Sequence, residues 1–188
     1  MGSMESSSGE DSGPSLFAVV CYVPEKLGDF LNTLRCELVP ACSLLSHITL
    51  LPPRTLSAPV PDLVESVGKG LGGVAPFDLE LGAVEKFPVT DVVYISVAQG
   101  RSHLETIHKT LDSGPLESPE PYPFHPHITL AQEIADGKVE STFAEAQSRW
   151  NEWRGTRSFA VDRATLVQNR NGSGWVTIAE YDLRPPAA

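Results

Sequence analysis

The sequence predicts an α+β fold with two lobes related by an approximate twofold axis, and two observations lead to this prediction. The tetrapeptide His-Ile-Thr-Leu occurs twice, at residues 47–50 and 127–130. A predicted strand and a predicted helix precede each copy, in the same order. We therefore expect a duplicated architecture of antiparallel sheets, in which the two motif strands flank a central groove.

The first predicted unit covers residues 16–84. Residues 16–23 form a nearly continuous apolar run, which is typical of a buried strand. Pro24 suits the first position of a helix, and apolar residues at helical spacing extend that helix to about Val39. The remaining elements are the first motif strand, closed by Pro52 and Pro53; a helix from Pro61 that ends at Gly70, Gly72 and Gly73; and an alternating strand at residues 77–83.

The second predicted unit covers residues 91–183 and begins in the same order. An apolar strand at residues 91–98 precedes a helix at residues 101–112. The remaining elements are a proline-rich loop at 115–126, the second motif strand, a helix at 141–153, and a hairpin whose strands at 158–168 and 175–183 enclose the turn residues 169–174.

The bulk properties suit one domain, which we expect to span residues 16–184 of the 188. Residues 1–15 are rich in Ser and Gly and are predicted to be a disordered tail, in which residues 1–3 resemble a cloning remnant. The chain has no apolar run long enough to cross a bilayer and no N-terminal signal pattern. The three cysteines are irregularly spaced, which predicts free thiols and a cytoplasmic protein.

The net charge restricts the class of partner. The chain has 14 Lys and Arg against 24 Asp and Glu, so its formal net charge is −10. A protein that follows a long nucleic acid carries a basic stripe to neutralise phosphates, and this composition argues against one. A small phosphorylated ligand remains compatible with the charge, because a single cleft needs only local positive charge or hydrogen-bond donors.

The two motifs supply matching sets of polar side chains. Residues two apart on a strand point to the same face, so His47 and Thr49 share one face, and His127 and Thr129 share the equivalent face. The apolar residues between them point into the core. Each motif therefore offers one titratable imidazole and one hydroxyl to the groove. The alternative is that both histidines only pack within the strands.

With these motifs in place, the chain resembles the 2H phosphoesterase superfamily, which includes 2′-5′ RNA ligase-like proteins and cyclic nucleotide phosphodiesterases. That superfamily is recognised by two His-x-Thr/Ser-x motifs whose last position is apolar, and both tetrapeptides fit this pattern. The element order extends the resemblance from about residue 16 to residue 183. Two flanks differ: residues 51–54 are Leu-Pro-Pro-Arg where many members have Phe-Leu-Gly, and Gln132 stands where many ligase-like members have Arg.

The resemblance implies hydrolysis of a cyclic phosphodiester by acid/base catalysis. His47 and His127 would be the general acid and the general base, and the sequence leaves open which residue takes which role. The hydroxyls of Thr49 and Thr129 would donate hydrogen bonds to the phosphoryl oxygens. Because the protein would supply the acid, the base and the donors, we expect no metal and no other cofactor.

Further residues are candidates to bind the substrate. Arg54 is placed to contact a phosphate, or it is a solvated loop residue. Tyr22, Tyr122 and Phe124 are candidates to stack on a base, with ordinary packing as the alternative. Gln132 offers a neutral donor after the second motif. His125 and His127 could also form a metal pair, but the sequence shows no third ligand. His108 falls on the apolar stripe of its predicted helix, and we expect it to be packed.

We therefore expect a metal-independent phosphodiesterase that acts on 2′,3′-cyclic phosphates or on small 2′-5′-linked nucleotides and RNA ends. The expected partner is such a small substrate, with no membrane and no long nucleic acid, and we expect the protein to be a monomer. The alternatives are a phosphodiesterase of 2′-5′ oligonucleotide or cyclic-oligonucleotide signals, an RNA 2′-5′ ligase, a nucleotide-binding module without turnover, and a structural protein.

Overall fold

The computed structural model describes residues 15–40, 42, 44–170, 172 and 174–185. Its elements are, in chain order, β1 (Ser15–Tyr22), α1 (Glu25–Leu38), β2 (His47–Thr55), α2 (Val60–Leu71), β3 (Phe77–Lys86), β4 (Val93–Gln99), α3 (Arg101–Leu111), a short 3-10 helix (Gly114–Leu116), β5 (His127–Ala131), α4 (Val139–Glu152), β6 (Ser158–Val161), β7 (Arg163–Arg170) and β8 (Trp175–Asp182). Within the described part of the chain, no helix is both long and apolar enough to cross a membrane. Of the predicted tail at residues 1–15, residues 1–14 lie outside the described residues, whereas Ser15 was wrongly included and begins β1.

The strands form two four-stranded sheets, and every strand pair is antiparallel. The first sheet has the order β2-β1-β7-β8, and the second has the order β5-β4-β3-β6. The two sheets are equivalent in layout, because β1 and β4 each precede a helix and then pair with the motif strand that follows it. The predicted α+β fold with two antiparallel lobes is confirmed.

The chain crosses between the two lobes, and these crossings link them. The first sheet combines β1 and β2 with β7 and β8 from the end of the chain, whereas β3 pairs in the second sheet. The helices also cross over, since α1 contacts β5 of the second sheet and α3 contacts β2 of the first. Most of the buried apolar residues belong to one continuous cluster that spans both lobes. This shared core fixes the two motif strands relative to each other.

Apolar stripes on the helices provide much of that core. Leu31 and Leu34 of α1, and Leu104 and Leu111 of α3, are completely buried. Each fully buried leucine contributes about 1.5–3 kcal/mol relative to an exposed one. Helix formation and packing therefore support each other, as the spacing of these residues predicts.

The first motif strand is longer than predicted. We expected it to end at Pro52 and Pro53, but β2 continues through both prolines to Thr55. It can do so because β2 pairs only with β1 and forms the edge of its sheet, where a residue without an N–H is tolerated. The register between Phe17 and Val19 is irregular opposite these prolines, which matches the missing ladder bonds.

The segment predicted as one strand at residues 158–168 consists of two strands. β6 pairs with β3 in the second sheet, and β7 pairs with β1 and β8 in the first. The break falls at Asp162, whose carbonyl accepts a 2.7 Å hydrogen bond from the backbone N–H of Leu183. The chain therefore passes from one lobe to the other at this residue. The predicted hairpin that follows is β7–β8.

Candidate active site

The two motifs lie on neighbouring edge strands. β2 is the edge of the first sheet and β5 the edge of the second, and the two strands contact each other. Ile48 and Ile128 are completely buried, whereas His47 and His127 are only partly buried on the opposite face. The alternation is the same in both strands, so both sets of His and Thr side chains lie on the partly buried strand faces, and the region where these two faces adjoin is the candidate groove.

A hydrogen bond fixes each imidazole in the same orientation. Nδ1 of His47 lies 2.7 Å from the carbonyl oxygen of Leu45, and Nδ1 of His127 lies 2.6 Å from that of His125. A carbonyl oxygen only accepts, so each Nδ1 carries the hydrogen and donates it. In the neutral ring, Nε2 then holds the lone pair and is the nitrogen that can take up a proton.

Burial lowers the pKa of both motif histidines below the ordinary value. For His47, burial is the main cause, the hydrogen bond to Leu45 opposes it, and the charge of Arg35 lowers the pKa further. For His127, burial again comes first, the bond to His125 opposes it, and the charges of His125 and His47 add to the lowering. A positive charge on His47 therefore disfavours protonation of His127.

An aromatic cluster encloses the second motif histidine. The rings of Phe87 and Tyr94 stack with centroids 4.2 Å apart, and both meet His127 edge-on, at 5.1 and 5.2 Å. The Tyr94 hydroxyl donates a 3.1 Å hydrogen bond to Oε2 of Glu85. Burial, assisted by Glu85, raises the pKa of Tyr94 to about 12, so the phenol stays protonated at neutral pH. The sequence interpretation missed these residues.

The alternation of β4 could have identified Tyr94. Its neighbours Val93 and Ile95 are completely buried, so Tyr94 points to the opposite face. In the β4–β5 pair Tyr94 lies opposite Thr129, and directly opposed residues share a face of the sheet. Tyr94 therefore lies on the same face as the second motif.

The first motif histidine has more open surroundings. Tyr22 lies opposite His47 in the β1–β2 pair, and their rings meet edge-on with centroids 6.2 Å apart. Tyr22 is 38% exposed, and burial together with the charge of Glu180 raises its pKa. Tyr22, a candidate base-stacking residue, therefore lies beside His47 and is partly exposed.

Arg54 occupies a position that contradicts the expected phosphate contact. It is only 5% exposed, because the continuation of β2 directs its side chain inward. Nη1 donates to Oδ1 of Asp112 at 2.5 Å and to the carbonyl oxygen of Leu116 at 2.9 Å, and Nη2 pairs with Glu120. Its guanidinium therefore joins β2 to the segment after α3 and is not directed into the groove.

Phe124 also packs away from the groove. Its ring stacks on His108 with a centroid distance of 3.8 Å and an interplanar angle of 3°. Nδ1 of His108 in turn lies 3.0 Å from the carbonyl oxygen of Leu50. One face of Phe124 is therefore covered by His108, which is packed as predicted. Tyr122 is exposed on the proline-rich loop.

Among the described residues, one cluster has the composition of a metal site. Oxygen and nitrogen atoms of His108, Asp112 and Glu120 lie within 4.8 Å of one another. However, the guanidinium of Arg54 pairs with both carboxylates and supplies the positive charge there. The arrangement fits a buried ion-pair network better than a metal centre.

Gln132 lies just beyond the second motif and is exposed. It borders a cavity of about 180 Å³ that also contacts Arg35 of α1. Nη1 of Arg35 donates to the backbone carbonyl oxygen of Thr129, in the second motif. Sequence interpretation missed Arg35, although it follows Leu31 by four residues and therefore lies on the buried face of α1.

Comparison with known proteins identifies the family of this chain. A protein of Halalkalibacterium halodurans that is provisionally named a phosphoesterase is 25% identical to this chain over 170 residues. These residues cover 89% of this chain and 96% of that protein. A provisionally named phosphoesterase of Bacillus cytotoxicus is 31% identical over 129 residues, 64% of this chain and 71% of that protein. The apo crystal structure of E. coli LigT superposes with a TM-score of 0.64 at 20% identity, over 92% of this chain and 99% of LigT. Residues 24–173 match the sequence profile of the 2′-5′ RNA ligase superfamily, so this chain belongs to that superfamily, the 2H phosphoesterases.

Proposed function

We propose that this protein is a metal-independent phosphodiesterase that opens nucleoside or RNA-terminal 2′,3′-cyclic phosphates. The observation that carries this proposal is the matched orientation of His47 and His127. Both rings donate Nδ1–H to a backbone carbonyl two residues earlier in the chain. Each Nε2 is therefore prepared for proton transfer, and the two rings lie on strands that contact each other.

The reaction follows from the chemistry of the two rings. Nε2 of the neutral histidine takes a proton from water, and the resulting hydroxide attacks phosphorus. The bond from phosphorus to one ribose oxygen breaks, and that oxygen receives the proton of the other histidine, which enters the cycle as imidazolium. The product is a ribose monophosphate with one free hydroxyl. Each histidine ends in the opposite protonation state, and proton exchange with solvent restores the pair.

The lowered pKa values suit this cycle. Burial keeps both His47 and His127 neutral at pH 7 in the free protein. A bound phosphodiester carries a negative charge, which favours protonation of the nearer imidazole. Binding of the substrate would therefore generate the acid, while the second ring remains the base. The hydroxyls of Thr49 and Thr129 would donate to the non-bridging oxygens, where negative charge increases.

Related structures support a nucleotide-sized ligand. E. coli LigT has been crystallised with phosphate and with 3′-AMP, at TM-scores of 0.64 and 0.61 to this chain. A nucleoside monophosphate has the size of the product proposed above. The net charge of −10 argues for a small substrate rather than a long RNA.

The decisive experiment measures hydrolysis of the four nucleoside 2′,3′-cyclic phosphates in the presence of EDTA. We expect the wild type to turn over at least one of them, and both His47→Ala and His127→Ala to lose about 10²–10⁴-fold in kcat. His103→Ala is the matched control, because His103 is an exposed residue of α3 that stacks on Phe77. Full activity in either motif variant would refute the two-histidine mechanism.

A second candidate is hydrolysis of short 2′-5′-linked nucleotides. Tyr22 beside the first motif and Tyr94 beside the second provide an aromatic ring on each side of the paired histidines. One base of such a substrate could stack on the exposed ring of Tyr22, whereas Tyr94 is buried and already stacked on Phe87. Turnover of a 2′-5′ dinucleotide, with no turnover of cyclic phosphates, would favour this candidate. Saturable binding without turnover, unchanged in both histidine variants, would favour a binding module.

A further inference from the structure

Arg35 is a buried cation without a charged partner. It is 3% exposed, on the inward face of α1. Nη1 donates to the backbone carbonyl oxygen of Thr129, and Nη2 lies 3.3 Å from the sulfur of Cys42. Its Nε is buried and has no hydrogen-bond partner among the residues described. No carboxylate in the described ranges pairs with its guanidinium.

The other arginine that is buried among the described residues shows how unusual the missing carboxylate partner of Arg35 is. Arg54 is 5% exposed, a similar burial, but it pairs with two carboxylates. A buried charge is normally neutralised by such a partner, since an uncompensated one is strongly unfavourable. Arginine does not escape by losing its proton, because its pKa is too high. The positive charge of Arg35 therefore persists without a counter-ion from the described protein.

The position of Arg35 connects this charge to both motifs. Its hydrogen bond to Thr129 reaches the second motif, and its charge lowers the pKa of His47 in the first. Helix α1 contacts β5, which carries the second motif. Arg35 also borders a cavity that Gln132 and Glu133 line, and Glu133 forms no ion pair with Arg35 in the described structure. The field of Arg35 therefore acts on the groove between the motif strands.

We propose that Arg35 is the electrostatic anchor of the substrate, whose phosphate anion is the counter-charge that the described protein lacks. This inference rests on the proposed function and names the cation of that site. Arg35 acts through its field across the junction of β2 and β5, so it is a positioning residue. It attracts the anionic phosphodiester, and its charge adds to the burial that lowers the pKa of the free His47.

Phosphate binding tests the anchor without requiring turnover. Inorganic phosphate is titrated into wild type, Arg35→Met and Arg35→Lys, and the histidine C–H proton signals are followed by NMR. We expect Arg35→Met to weaken phosphate binding by roughly 10- to 100-fold, because one positive charge is lost at short range in a partly buried site. Arg35→Lys keeps the charge and should retain phosphate affinity within about 5-fold.

Arg149→Met is the matched control. Arg149 also touches α1, through an exposed ion pair with Glu37, but it does not approach the motifs. We expect it to bind phosphate as the wild type does. The second readout is the titration of His47, whose pKa should rise in Arg35→Met and stay unchanged in Arg149→Met. A purely structural role of Arg35 in holding α1 on β5 would not require the pKa of His47 to rise.

The outcomes separate the anchor from the proposed function. If Arg35→Met does not fold, Arg35→Gln carries the test, because it removes the charge and keeps a side-chain donor for the carbonyl oxygen of Thr129: weakened phosphate binding supports the anchor, and wild-type affinity overturns it. If Arg35→Met folds and keeps wild-type phosphate affinity, the anchor is refuted, whatever the enzyme hydrolyses. If the wild type binds phosphate in an Arg35-dependent way but hydrolyses no cyclic phosphate, the proposed function fails and the anchor stands.

Discussion

Tyr94 lies directly opposite Thr129 in the β4–β5 pair, and its ring meets that of His127 edge-on at 5.2 Å. The equivalent position in the other sheet, opposite Thr49, is the small buried Val20. The two motifs therefore match in backbone and in imidazole orientation but differ in the side chains that surround them. The stacked rings of Phe87 and Tyr94 form an aromatic wall beside the second motif, whereas the first motif has the exposed ring of Tyr22 beside it.

Substitution of Tyr94 tests this aromatic wall. Tyr94→Phe keeps the stack on Phe87 and loses only the hydrogen bond to Glu85, so we expect kcat/KM for a cyclic phosphate to fall by about 10-fold or less. Tyr94→Ala removes the ring, which exposes His127 to water and should raise the pKa of that histidine. Kinetics and NMR titration of His127 measure both effects. An unchanged His127 titration in Tyr94→Ala would show that the wall does not control this ring.

The threonine hydroxyls should matter for turnover and hardly at all for stability. Thr49→Val and Thr129→Val keep the shape of the side chain and remove one donor each, on the partly buried face of the motif strands. If these donors stabilise charge on the phosphoryl oxygens, kcat should fall by about 10²-fold for each variant. Valine also suits a strand, so the free energy of unfolding should change by less than about 1 kcal/mol. Steady-state kinetics and urea unfolding separate the two effects, and Thr55→Val at the exposed end of β2 is the control.

Stability should decrease when the pH falls below neutrality. Burial holds the pKa of His47, His125 and His127 below the ordinary value of 6.5. Between 6.5 and the lowered folded values, the unfolded chain binds more protons than the folded one, so protonation favours unfolding. The full stability of these groups is therefore present above pH 6.5 and is lost as the pH falls through the folded pKa values.

Urea unfolding at pH 7.5 and pH 5.5 measures this loss. The double variant His47→Ala/His127→Ala lacks two of the three groups, so its free energy of unfolding should decrease less between these pH values than that of the wild type. His103→Ala is the control and should behave like the wild type, because His103 is an exposed residue of α3. Equal decreases in all three proteins would assign the pH dependence to other groups.

Local patterns predicted the fold class and the motif faces. The alternation of His47 and Thr49 with Ile48 and Leu50 repeats within four residues, and the structure places both isoleucines and both leucines in the core. The apolar stripes of the helices also repeat over a few neighbouring residues. Such patterns need no information about distant partners, so a sequence is enough to identify them.

The remaining features depend on contacts between distant segments. Arg54 looked like a free loop residue because its partners Asp112 and Glu120 follow 58 and 66 residues later in the chain. The continuation of β2 through two prolines depends on its place at the edge of a sheet. Arg35 left a local signal, a charge on the apolar stripe of α1, but the meaning of that charge required the contact with Thr129.

Arg54 should be essential for folding stability and unimportant for catalysis. Arg54→Met leaves the carboxylates of Asp112 and Glu120 partly buried without their cation, which should lower the free energy of unfolding by about 3–5 kcal/mol. Arg163→Met is the matched control, because its ion pairs with Glu180 and Asp182 are exposed and should contribute less than about 1 kcal/mol. Urea unfolding compares the two variants, and kcat of the folded fraction should stay within about 3-fold of wild type in both.

We expect Arg54→Met to destabilise the fold because it leaves two carboxylates without their positive charge, and not because the shape of the side chain changes. A second substitution tests this reason. Arg54→Met/Glu120→Gln removes one of the two stranded charges and should recover part of the lost stability. A divalent cation offers the same compensation, since His108, Asp112 and Glu120 have the composition of a metal site once the guanidinium is gone. Zn²⁺ should therefore raise the unfolding midpoint of Arg54→Met and leave that of the wild type unchanged. If neither Glu120→Gln nor Zn²⁺ restores stability, the loss in Arg54→Met comes from the hydrogen bonds to Leu116 and Pro52 instead.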